Sequence, residues 1–126
     1  MLQTLTKLRI ARYTHSGMRR EYNQDHIGFD QELGIAVLAD GMGGHKAGEI
    51  AAHMTVKFVL EKLQKLVLQK TSVSITGSQL LEFVSTTISS SNAEIFRTQQ
   101  EQEAYKGMGT TIVATLVIGS HIYVGH

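Results

Sequence analysis

The chain has no cysteine, and this absence removes disulfides, thiolate zinc sites and every mechanism that needs a sulfur nucleophile. Phosphoryl chemistry through a cysteinyl intermediate is excluded with them. A strong excess of one charge is also missing: twelve Lys and Arg stand against eleven Asp and Glu, so nucleic acid is not the default partner. No stretch approaches the roughly 18 apolar residues of a membrane span, and the opening MLQTLTKLRI lacks the continuous apolar segment of a signal peptide. The expectation is a soluble, cytoplasmic chain with no membrane partner. Repeats, low-complexity tracts and linkers are absent, and 126 residues suffice for one domain with a genuine core but not for two of ordinary size.

What is present concentrates between Ile35 and Gly48, which read IAVLADGMGGHKAG. An apolar run delivers one carboxylate, Asp40, into a glycine-dense turn that then opens a helix. The run does not alternate, which predicts a strand covered on both faces. Glycines in the turn let the backbone come close to an ion or phosphate. Asp-Gly alone is a favoured tight turn, but Gly43 and Gly44 add more glycine than a turn requires.

Around this segment the pattern predicts strands, then helices, then strands. Lys7 to Tyr13 mixes β-branched, aromatic and charged residues in rough alternation, and Asp25–Phe29 with Ile35–Ala39 reads as an antiparallel hairpin around residues 30–34. From Ala47 to Lys70 nothing breaks a helix, and apolar residues recur at Ile50, Met54, Phe58, Val59, Leu63, Leu66 and Val67. TSVSITG interrupts, and a second helical pattern carried by Leu81, Val84, Ile88 and Ile95 ends near Gly107. The last stretch is two β-rich runs around Gly119 and Ser120, a two-residue hairpin signal. Helices packed on a predominantly antiparallel sheet, an α+β layout, follow from this order.

The nucleotide-binding loops fail on spacing. No Gly-Lys-Ser or Gly-Lys-Thr occurs, and a dinucleotide fingerprint begun at Gly41 meets Lys46 where its third glycine belongs. Upstream, GMRREYNQD ends in Asp25 at the mouth of the strand paired with the one that ends in Asp40. In an antiparallel hairpin the start of one strand lies beside the end of the next, so Asp25 and Asp40 are predicted to meet at one sheet edge. Two carboxylates there point to a hard cation, Mg²⁺ or Mn²⁺. Arg20, five residues earlier, can present its planar fork to a phosphate held over that cation.

GMRREYNQD, then VLADGMGGHKAGEIAA, then GMGTTIVATLVI together resemble the metal-dependent Ser/Thr protein phosphatases of the 2C (PP2C) type in their bacterial form. The resemblance covers essentially the whole chain in the right order. It implies an antiparallel β-sandwich flanked by helices in α-β-β-α layers, of which residues 1–126 are the N-terminal portion. It also implies a binuclear Mn²⁺ or Mg²⁺ centre and hydrolysis of phosphoserine or phosphothreonine in proteins by a metal-activated water. Residue by residue, Asp40 matches the aspartate that bridges both metals, and Gly41 the glycine whose backbone carbonyl is a further ligand. Asp25 matches the acidic residue of the early motif in or next to the metal shell, and Arg20 the arginine that binds the substrate phosphate. Gly107 to Thr111 match a small-residue stretch with a packing role.

The chain departs from the family pattern in three ways. Gln24 stands where many relatives carry Glu, and Met42 where animal members tend to have His; His45 is not the equivalent of that His and reads as a helix-start residue. The strand ending at His126 also stops before the Gly-Asp-Ser motif and the later aspartates of such phosphatases, so the natural protein is expected to continue. Two divalent cations about 4 Å apart repel by roughly 16 kcal/mol at an effective dielectric near 20, which one bridging aspartate does not offset. One weakly held ion at most is therefore expected here, with poor turnover, unless another chain completes the site. The alternative is a truncated phosphatase-like domain that binds a phosphoprotein or self-associates through an open sheet edge without catalysis.

Overall fold

The computed structural model describes residues 8–69 and 74–126. The element order is β1 (Asp25–Asp30), β2 (Ile35–Met42), α1 (Ala47–Gln69), α2 (Gly77–Glu101), a 3₁₀ turn (Glu103–Tyr105), β3 (Gly109–Thr110), β4 (Val113–Ile118) and β5 (His121–Gly125). All pairings are antiparallel. The sheet runs β1-β2-β4-β5, and β3 pairs with the far end of β2. Both predicted hairpins are present, and α1 follows the predicted helix, whose last residue, Lys70, lies outside the described residues.

Local signals set these elements. The first hairpin closes through Asp30, whose Oδ1 accepts from the Leu33 N–H at 3.0 Å while Oδ2 accepts from Gln64 Nε2 at 2.9 Å, tying the turn to α1. Thr76 caps α2 reciprocally with Gln79. α2 stops at Glu101, and the 3₁₀ turn carries the chain on towards Gly107.

Both helices lie on one face of the sheet, α1 over β1 and β2 and α2 over β5 and against α1. The core joins Ile35, Val37, Ala39, Ala114 and Leu116 of the sheet to Ala52, Val56, Val59 and Leu63 of α1 and Leu80 and Val84 of α2. Burying each of the larger of these side chains contributes about 1.5–3 kcal/mol. The buried stripe of α1 starts with small residues, Gly48, Ala51, Ala52 and Thr55, and continues with Val56, Val59 and Leu63. Ile50, Met54 and Phe58 flank it, only partly buried. In α2 the inward leucine is Leu80, whereas Leu81 is exposed.

Two expectations are corrected. Leu8 to Tyr13 form no strand, and Lys7 lies outside the described residues. The segment touches the hairpin through side chains: the Ile10 N–H donates to Gln31 Oε1 at 3.0 Å, and Arg12 donates to the Ile27 carbonyl at 3.1 Å while its guanidinium lies over the Phe29 ring.

Strand β2, expected to be covered on both faces, alternates between buried and more accessible positions. Ile35, Val37, Ala39 and Gly41 face the helices. The opposite face carries Leu38 beside Ile27 and Val113, then Val117 beside Ile122. It is open among the described residues, with Leu38 43% and Ile122 67% exposed. The apolar run reflects a sheet with two apolar faces, of which these residues cover one. No described helix is long and apolar enough to cross a membrane.

Candidate active site

The acidic end of the sheet is built by register. Asp25 pairs with Asp40 across β1 and β2, and because directly opposed residues share a face, both carboxylates stand on the open face. Asp25 is drawn up from its ordinary carboxylate range. Burial does most of this, and a hydrogen bond and the like charge from Asp40 add to it; the nearby Arg20 guanidinium pulls the other way. Two carboxylates arranged so that one holds a proton more tightly are a site that a cation would relieve.

The backbone of Asp40 is fixed by Thr111. The ladder of β2 with β4 ends at Leu38, and that with β3 begins at Gly41. Across the gap the Asp40 N–H donates to Thr111 Oγ1 at 3.1 Å and the Thr111 N–H donates to the Asp40 carbonyl at 2.9 Å. The sequence assigns this threonine only to a packing stretch; nothing in its identity marks it as the residue that grips the aspartate.

After Asp40 the chain passes very close to α1. A Cβ on Gly41 would collide with the Gly48 carbonyl, and one on Gly48 would lie 2.8 Å from the Gln24 side-chain amide and from the Met42 nitrogen. Only glycine at both places allows this crossing. The turn that follows puts Gly43 at φ 149° and His45 at φ 54°. His45 sits before α1 with its ring exposed, outside the helix itself.

Gln24 ties this turn down. Its carbonyl accepts from the Gly41 N–H at 3.0 Å, and its Nε2 donates to the Gly43 carbonyl at 3.0 Å and to the His45 carbonyl at 3.3 Å. A cavity of about 560 Å³ opens beside the acidic pair, lined by Arg20, Tyr22, Gln24, Asp40, Gly41 and Thr111 among others. Arg20, Asp25, Asp40 and Gly41, singled out from the sequence, are thus brought to one end of the molecule. Among the described residues no group of three or more His, Cys, Asp or Glu converges as a metal site. The facing carboxylates of Asp25 and Asp40 are hard oxygen donors of the kind a single Mn²⁺ or Mg²⁺ takes, and they form no closed cage.

Comparison with known proteins shows the family. The protein phosphatase 2C family matches residues 14–126, and the chain belongs to that metal-dependent family. It is 37% identical to a protein phosphatase 2C-type protein of Streptococcus pyogenes over 94% of its own length and 47% of the relative's. The serine/threonine phosphatase structure from S. agalactiae superposes with a TM-score of 0.70 at 36% identity, covering 87% of this chain and 44% of that one. The catalytic domain of the phosphatase PstP, solved with two manganese ions, superposes with a TM-score of 0.75 at 27% identity, covering 93% and 46%. The chain spans about half the length of the curated relatives it matches.

Proposed function

We propose that residues 1–126 are the N-terminal portion of a phosphatase domain that hydrolyses phosphoserine and phosphothreonine in proteins with Mn²⁺ or Mg²⁺. The observation that carries this is the facing pair Asp25 and Asp40, the second of which lines a cavity together with Arg20. Asp40, Asp25 and the Gly41 carbonyl would hold the cation. When bound, it supplies an activated water and neutralises phosphate charge. Arg20 orients the phosphate through its planar fork and offsets its charge. Thr111 and Gly41 keep Asp40 in place from either side of its backbone.

Two carboxylates support one weakly held ion, so turnover by this chain alone is expected to be poor or nil. The test is hydrolysis of an aryl phosphate with and without Mn²⁺, with Asp40→Asn and Arg20→Ala as controls, beside calorimetric titration with Mn²⁺. Weak Mn²⁺ binding abolished by Asp40→Asn supports the assignment; binding unchanged by that substitution contradicts it.

Self-association without catalysis is favoured by a different observation, the exposure of Leu38, Val113, Ile122 and Val124 on one sheet face. Light scattering over a concentration series, with no metal uptake in calorimetry, would support that reading.

A further inference from the structure

We infer that Gln24 is a positioning residue that clamps the glycine turn after Asp40, and that it does so as an amide in a way a carboxylate at this position cannot. Both acceptors of its side chain are backbone carbonyls, Gly43 at 3.0 Å and His45 at 3.3 Å. A carbonyl has no proton to give, so the nitrogen must face them and the orientation of the amide is settled chemically. With its own carbonyl on the Gly41 N–H, this one residue binds both ends of the segment 41–45.

A second observation shows why the clamp matters. His45 is not glycine yet holds φ 54°, a left-handed conformation that side chains other than glycine disfavour. Its carbonyl is one of the two that Gln24 holds. The same side chain lies over Gly48, where a Cβ would come within 2.8 Å of it. Gln24 therefore fixes the mouth of β1, the end of β2 and the first turn of α1 against one another. A glutamate here would aim negative oxygens at two carbonyls. Gln24 is thus a turn clamp and not a neutral remnant of a ligand. Its effect on metal binding rests on the proposed metal site; the clamp itself does not.

Hydrogen exchange and Mn²⁺ titration on the same chain separate the two. The Ala47 N–H, which donates to the Gly44 carbonyl at 3.1 Å inside the turn, is the reporter. In Gln24→Glu its protection factor is expected to fall about tenfold at pH 7, the worth of one lost hydrogen bond. Gln24→Met is expected to lose the protection as well, and the unaltered chain to keep it. Mn²⁺ affinity is expected to weaken in Gln24→Glu despite the added negative charge. Undiminished protection in Gln24→Met, or tighter Mn²⁺ binding by Gln24→Glu with the turn still protected at pH 7, overturns the inference. Absence of Mn²⁺ binding by the unaltered chain would count against the proposed metal site alone, and the protection factors would still decide the clamp.

Discussion

Asp25 and Asp40 face each other in register across the first hairpin, near enough for Asp40 to raise the pKa of Asp25. Asp40→Asn removes the like charge and one carboxylate of the proposed metal site together. Mn²⁺ affinity is expected to fall at least tenfold, about 1.4 kcal/mol, and isothermal titration calorimetry measures it.

The same pair sets a pH dependence with a definite sign. Asp25 in the folded chain titrates above its ordinary value of 3.8 because of burial first and Asp40 second. The folded state binds the proton more tightly, so this contribution to stability is full below pH 3.8 and is lost as pH rises through the raised pKa. In Asp40→Asn that loss is expected to shrink. Urea midpoints for both chains between about pH 3 and 6.5 check this, the window being set by the ordinary carboxylate and imidazole values.

His26 acts in the opposite direction. Its ring meets the His53 ring edge-on with centroids 4.6 Å apart. Burial, then the His53 and Arg12 charges, lower its pKa from 6.5, against a smaller pull from Glu49. Its contribution is therefore present above pH 6.5 and lost as pH falls through the depressed value. His53→Gln is expected to bring the His26 pKa back towards 6.5, read from the imidazole C–H shift in an NMR titration.

Gly41→Ala places a methyl group against the Gly48 carbonyl and within 2.8 Å of the Gln24 carbonyl. Backbone cannot yield as a flexible side chain does, and a loss of about 3 kcal/mol is expected. Thermal unfolding of the metal-free chain measures it, and its metal affinity should fall in parallel.

Thr55 Oγ1 and Ser91 Oγ are buried without a hydrogen-bond partner. Thr55→Val and Ser91→Ala each remove an unpaired polar atom at nearly constant shape. Each is expected to stabilise the fold by about 1 kcal/mol, seen as a higher urea midpoint with an unchanged slope.

The sequence carried the acidic end of the sheet well because its logic is local. A four-residue turn joins β1 and β2, and antiparallel pairing then has little choice but to bring Asp25 to Asp40. Thr111 was illegible in its role because it reaches Asp40 from 71 residues away, through a gap between two ladder segments. Gln24 looked like a lost charge, since side-chain identity says nothing of which backbone carbonyls it will face. Residues 8–13 had strand-like alternation, but Ile10 and Arg12 spend their hydrogen bonds on a side chain and a lone carbonyl instead of a ladder. The helix pattern found Val59 and Leu63, which are buried, but overweighted Ile50, Met54 and Phe58: they follow helical spacing, yet the N-terminal half of α1 buries glycine, alanine and threonine instead.

The side of the sheet left bare by α1 and α2 is also the side on which Asp25 and Asp40 stand. Hydration of the carboxylates and wetting of Leu38, Val113 and Ile122 are therefore coupled. Any layer laid over those apolar residues would also come against the acidic end, so that shielding the sheet from water and drying the carboxylate pair would be one event.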